Sequence, residues 1–261
     1  MTDVTPLAID RSLSIRTVSE ERVWVWLSAG WRDMRRVPGV SLAYGAAFVA
    51  VSFLLTLGLW LAEMIYLVLP LAAGFMFIGP LVAVGLYEVS RRLERGERAT
   101  LGDAVVAWRA NAGQIATMGV VLMLFLLAWI RIAFLVFALF FGASPPSWDL
   151  LIQTVFFSVE GVPFLLAGTA AGAVLAAIAF AVSAVALPLL LDRDVGVVTA
   201  IAASATAVWR NRRVMIGWAA LIALFTAAGL ATFYIGLALT LPLIGHATWH
   251  AYRDLVVVAP G

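Results

Sequence analysis

The chain contains no cysteine, no lysine and only two histidines, and just 12% of its 261 residues are charged. Absence of cysteine excludes disulfides, thiolate metal sites and iron–sulfur clusters together. Absence of lysine leaves arginine to carry all 17 basic charges. The scarcity of charge accompanies 64% hydrophobic residues, whereas soluble domains have roughly 45–50% apolar and about 25% charged residues. Mean hydropathy is +1.03, so the bilayer is the expected solvent. The first twenty residues lack the apolar core of a secretory signal, and residues 1–18 are expected to form a flexible cytoplasmic arm. No Walker loop, GxGxxG turn, GxSxG elbow or HExxH pattern occurs in a suitable context, so no catalytic residue, cofactor or enzymatic activity is expected.

What is present is patterned. Apolar stretches run over 40–89, 113–191 and 214–252, and each exceeds the roughly 20 residues of one crossing. Arginines flank every stretch, and such residues collect in cytoplasmic loops near span ends. Each stretch must then cross an even number of times. The expected fold is an all-α integral membrane protein with six transmembrane helices in three hairpins, within one membrane domain over 19–261 and in units of about 19–92, 99–193 and 194–255. Both termini are expected in the cytoplasm of a bacterial inner-membrane protein. Nucleic acid is excluded as a partner because the arginines adjoin apolar spans and carry no recognition fold; membrane lipids, and another integral membrane protein or complex, are the partners expected.

A dipeptide recurs before each hairpin: Trp31-Arg32, Trp108-Arg109 and Trp209-Arg210. Upstream of these lie helix-start signals at Ser19, at Thr100 with Asp103, and at Asp194, where a side-chain oxygen can cap free backbone N–H groups. Three short amphipathic helices are therefore expected at the cytoplasmic interface, with the tryptophans at headgroup depth. Prolines recur near the other end of each unit: Pro80 before Arg91, Pro188 before Arg193, and Pro242 before Arg253. Because proline removes a helical hydrogen bond, the second helix of every hairpin is expected to kink there. The third hairpin has little chain to spare and should turn near Gly229. The middle one has a surplus over 132–160, expected as a periplasmic cap or interfacial hairpin. The small residues from Gly168 and Gly172 to Ala186 suggest a central packing helix.

Two sets of residues compete for chemical roles. His246 and His250 stand four apart and share a helix face, so they supply half of a tetrahedral metal site; the competing reading is hydrogen bonding within the bundle. Glu88 matches His250 in the repeat. Arg131 is the one basic residue outside the cytoplasmic set. It is expected to snorkel to the far interface or pair with Glu160, against an alternative role in contacting solute.

The closing string LPLIGHATWHAYRDL, with WRNRRVMIGWAALIAL and VWVWLSAGWRDMRRVPGVSLAYGAAF, resembles the bacterial multi-pass inner-membrane family catalogued as domain of unknown function 2189. The likeness extends over about 14–257. It implies no activity, substrate or catalytic residue. Some members carry a label linking them to cytochrome c oxidase subunit I. A haem–copper core needs six histidines and this chain has two, so the label implies association with a respiratory complex at most. The expected function is an accessory, assembly or scaffold component; a small-solute or lipid transporter, favoured by the repeat and broken helices, and a metal or haem protein are the alternatives.

Overall fold

The computed structural model describes residues 4–6, 12–142, 153, 155–159 and 161–258. It is helical apart from a small sheet. The chain enters through β1 (Val4–Pro6) and β2 (Leu13–Arg16), then α1 (Arg22–Arg36) and α2 (Pro38–Leu61). A 3-10 turn leads into α3 (Val68–Val82) and α4 (Val84–Glu94), followed by α5 (Leu101–Val106), the 3-10 turn Ala107–Asn111 and α6 (Ala112–Phe141). Next come α7 (Gly161–Ser183), α8 (Ala186–Asp192), α9 (Val197–Arg210), α10 (Arg212–Ala231), α11 (Leu237–Leu255) and β3 (Val256–Val258).

Among the described residues, five helical segments, 38–61, 65–94, 101–141, 161–192 and 212–231, are long and apolar enough to cross a membrane. Their outer surfaces carry exposed Leu54, Leu124, Leu166 and Leu224. Such surfaces suit lipid rather than water. The sixth expected crossing, α11, falls outside this set because it carries His246, Thr248, His250, Arg253 and Asp254. It is nonetheless an inner element, packed against α1, α2, α4 and α10. Protein surrounds its polar residues, so the helix need not be apolar. A Cβ on Gly30 of α1 would lie 2.6 Å from the Ala247 nitrogen, and one on Gly45 of α2 would lie 2.5 Å from the Ala238 carbonyl oxygen. Glycine is what lets these helices approach.

Several expectations are corrected. Residues 13–16 of the arm form β2, which pairs antiparallel with both β1 and β3; Leu13 and Ile15 are buried and anchor it. Helix α1 starts at Arg22 and α9 at Val197, neither with a side-chain cap, so only Thr100 caps as expected, through a reciprocal box with Asp103. Gly229 is no turn: it lies inside α10, where a Cβ would meet Thr240 at 2.6 Å. The reversal instead comes at Phe233 and Tyr234, both at positive φ, as Glu63 is between α2 and α3. Residues 132–141 continue α6 rather than beginning a cap, and Phe137, Phe140 and Phe141 meet Phe164 of α7 edge to face. The rest of the expected cap, from 143 to 152, lies outside the described residues, as does Glu160. The small-residue stretch that starts in α7 is central only toward its end, where Ala179, Ser183, Ala184 and Ala186 are buried. Gly172 packs on Trp129, but Gly168 has nothing within 4 Å.

Pro80 lies in the last turn of α3, and the helix breaks at Ala83. Pro188 sits in α8, and its missing N–H leaves the Ala184 carbonyl without a helical donor where α7 gives way to α8. Pro242 does not break its helix: α11 runs through it.

Candidate functional site: the polar helix ends

The ends of α4, α8 and α11 converge with α1 and the sheet, and the main buried core lies there, including Trp26, Tyr87, Trp218, Trp249 and Tyr252. Polar side chains of α11 reach outward from this core to different elements. His246 is fully buried. Its Nε2 lies 2.9 Å from Ser41 Oγ of α2 and its Nδ1 2.8 Å from Ser90 Oγ of α4. A neutral imidazole offers one donor and one acceptor, which two hydroxyls satisfy. One turn on, His250 Nε2 donates to Asp33 Oδ2 of α1 at 2.7 Å. Burial pushes the Asp33 carboxyl up, but the hydrogen bond and charge of His250 outweigh it and hold the group below the usual carboxylate value.

The remaining contacts extend the same pattern. Trp249 Nε1 and Arg253 Nε both donate to Glu94 at 3.0 Å. Tyr252 donates to Asp192 of α8 at 2.8 Å, and Arg253 Nη1 lies 3.6 Å from the same carboxylate. Asp254 accepts from Arg22 Nε at 2.6 Å, from Trp26 Nε1 at 2.9 Å and from Arg16 at 3.4 Å. Nearby, buried Glu88 accepts from Arg91 and Arg92 within its own helix, and Arg91 also reaches the Leu191 carbonyl. Helix α11 thus ties together β2, α1, α2, α4 and α8. Charge-assisted bonds of this kind hold geometry firmly when every member is satisfied.

The two histidines therefore face separate partners. Among the described residues, no three His, Asp or Glu side chains form a group that could hold a metal ion. A metal at His246 would have to displace a serine. Arg131 is exposed on α6, at its twentieth residue, roughly 28 Å from the helix start. Its expected partner Glu160 lies outside the described residues. Trp31, Trp108 and Trp209 are all exposed, Arg32 and Arg109 are exposed too, and Arg210 is half-buried.

Three positions escaped the sequence reading. Asp33, Asn111 and Asn211 each follow a Trp-Arg dipeptide by one or two residues; Asp33 and Asn211 are buried and Asn111 is half-buried. Asp33 binds His250. The Asn111 side chain donates to the Val195 carbonyl at 3.2 Å. Asn211 receives the Val18 N–H at 2.9 Å and donates to the Arg16 carbonyl at 3.0 Å. Recurrence of a short polar residue after the dipeptide was the available signal.

Away from these ends, α3, α6 and α7 diverge from α10 and α11 and leave a cleft of about 1080 Å³ between them. Phe77, Pro80, Trp129, Phe180, Trp218 and Leu241 are among its lining residues, with Thr226 and Thr240 as scattered hydroxyls. Trp129 closes the α3 side, donating to the Pro70 carbonyl at 2.8 Å.

Lipid-facing helices and a polar network gathered at one end define a multi-pass helical membrane protein. Residues 67–192 match the model of the DUF2189 family, described as a predicted integral membrane protein. The match runs through α3 to α8; the strings that carried the resemblance in the sequence lie outside it. No curated protein and no solved structure matches the chain.

Proposed function

We propose that the protein crosses a bacterial inner membrane six times, with both termini in the cytoplasm, and acts as a non-enzymatic accessory, assembly or scaffold component. The crossing number is supported by the sheet. Leu13 pairs with Val258, so the two ends of the chain share one side of the bundle, which five crossings alone would forbid. Helix α11 supplies the sixth: its 19 residues extend about 28 Å at 1.5 Å per residue, close to the roughly 30 Å of a hydrocarbon core. Cytoplasmic placement of the polar end rests on the arginines gathered there.

The scaffold reading is carried by the pairing of the polar helix ends. The side chains suited to chemistry, His246, His250, Asp33 and Glu88, are engaged in hydrogen bonds and ion pairs within the bundle, while the large cleft is apolar. Apolar flanks and a rigid polar hub suit association with lipids or with another membrane protein. Gentle detergent purification followed by mass spectrometry is expected to recover a reproducible membrane-protein partner; reproducible recovery of this chain alone would count against the scaffold role.

The cleft favours one second reading, a carrier for lipid or an apolar solute. Reconstituted protein would then speed transfer of a labelled lipid between leaflets, and a rate equal to that of empty vesicles would remove this alternative.

A further inference from the structure

We propose that the three Trp-Arg segments form a belt that binds anionic phospholipid headgroups. Trp26, Trp218 and Trp249 are 1% exposed and build the core, whereas Trp31, Trp108 and Trp209 are 43%, 50% and 74% exposed; Trp24 and Trp60 are exposed as well, outside the repeated dipeptide. Each tryptophan of the dipeptide lies within about two turns of the first residue of a long helix, respectively Pro38, Ala112 and Arg212. An indole has an apolar body and one N–H donor, which suits the headgroup layer.

The arginines sort by partner rather than by burial. Acids at the polar end are held by one set: Asp254 by Arg16 and Arg22, Glu88 by Arg91 and Arg92, and Asp192 by Arg95, Arg193 and Arg253. Arg32, Arg35, Arg109, Arg212 and Arg213 are exposed, and none has a carboxylate partner among the described residues. All five lie within four residues of an exposed tryptophan. The Arg109 guanidinium carbon lies 5.7 Å from the Trp108 ring centre. Guanidinium groups bind phosphate oxygens in a bidentate fork, so the surplus positive charge and the indoles together match a phosphodiester with a net negative headgroup.

The inference rests on the membrane reading above. The test uses the full chain in phosphatidylcholine nanodiscs, with electron spin resonance of spin-labelled phosphatidylglycerol compared against spin-labelled phosphatidylcholine. The expected preference for phosphatidylglycerol is roughly threefold or more, consistent with attraction of juxtamembrane basic residues to anionic lipid. It should fall toward unity as salt is raised and its screening length shortens. Replacing Arg32, Arg35, Arg109, Arg212 and Arg213 by Gln should abolish it without lowering the thermal midpoint in detergent. Equal association of both lipids with the wild-type protein, a preference insensitive to salt, or a preference kept by the five-fold Gln variant would each overturn the belt. A wild-type protein that inserts stably into nanodiscs yet shows no preference ends this inference alone; one that does not insert ends the membrane reading as well.

Discussion

His246 is a fully buried imidazole held from both sides by serine hydroxyls on different helices. Removing it strands Ser41 and Ser90 and opens a cavity at the centre of the polar end. His246→Ala should cost about 2–4 kcal/mol, combining lost packing with unpaired buried hydroxyls, and should lower the thermal midpoint followed by tryptophan fluorescence. An unchanged midpoint would mean that the serines find other partners and that the histidine is no keystone. The sequence made both histidines stand out and placed them on one helix face, which is correct. It could not separate their roles. At an i to i+4 spacing, a modest difference in direction is enough to aim one side chain between α2 and α4 and the other at α1, and only the packing of α11 decides that.

At the scale of elements, α11 is the organiser. It is the least apolar of the long helices because protein, not lipid, surrounds it, and the glycines facing it set how close its neighbours come. Gly30→Ala should therefore push α1 from α11 and destabilise by about 1–3 kcal/mol, the usual range for overpacking. Gly39, with open space around its Cβ position, is the control: Gly39→Ala should leave the midpoint unchanged or raise it slightly. Equal effects of the two substitutions would contradict the close approach. The length of the apolar stretches and the placement of arginines made the long helices legible in the sequence. The identity of the central one was not, because the Gly168–Gly172 spacing advertised α7, whereas the glycines that admit close contact lie singly on α1 and α2. Likewise, the break after Pro80 was legible from proline chemistry, while the continuity of α11 through Pro242 was not.

For the whole molecule, the polar network and the strand pairing between the two chain ends act together: they hold the bundle shut at one end while the helices diverge beyond it around the apolar cleft. An arm read as wholly flexible from its polarity proved to contain β2, since its anchors Leu13 and Ile15 meet a partner strand about 240 residues away, a long-range pairing that no local pattern announces. Six crossings, as proposed, would return the C-terminal end of the chain to the side of its N-terminal end. The absence of native cysteine makes this directly measurable by labelling single-cysteine variants in intact cells with an impermeant maleimide. Glu63→Cys and Phe233→Cys should label from outside, and Arg98→Cys and Gly261→Cys only after the membrane is opened. If Phe233→Cys and Gly261→Cys instead label from the same side, α11 does not cross and the six-helix account is wrong.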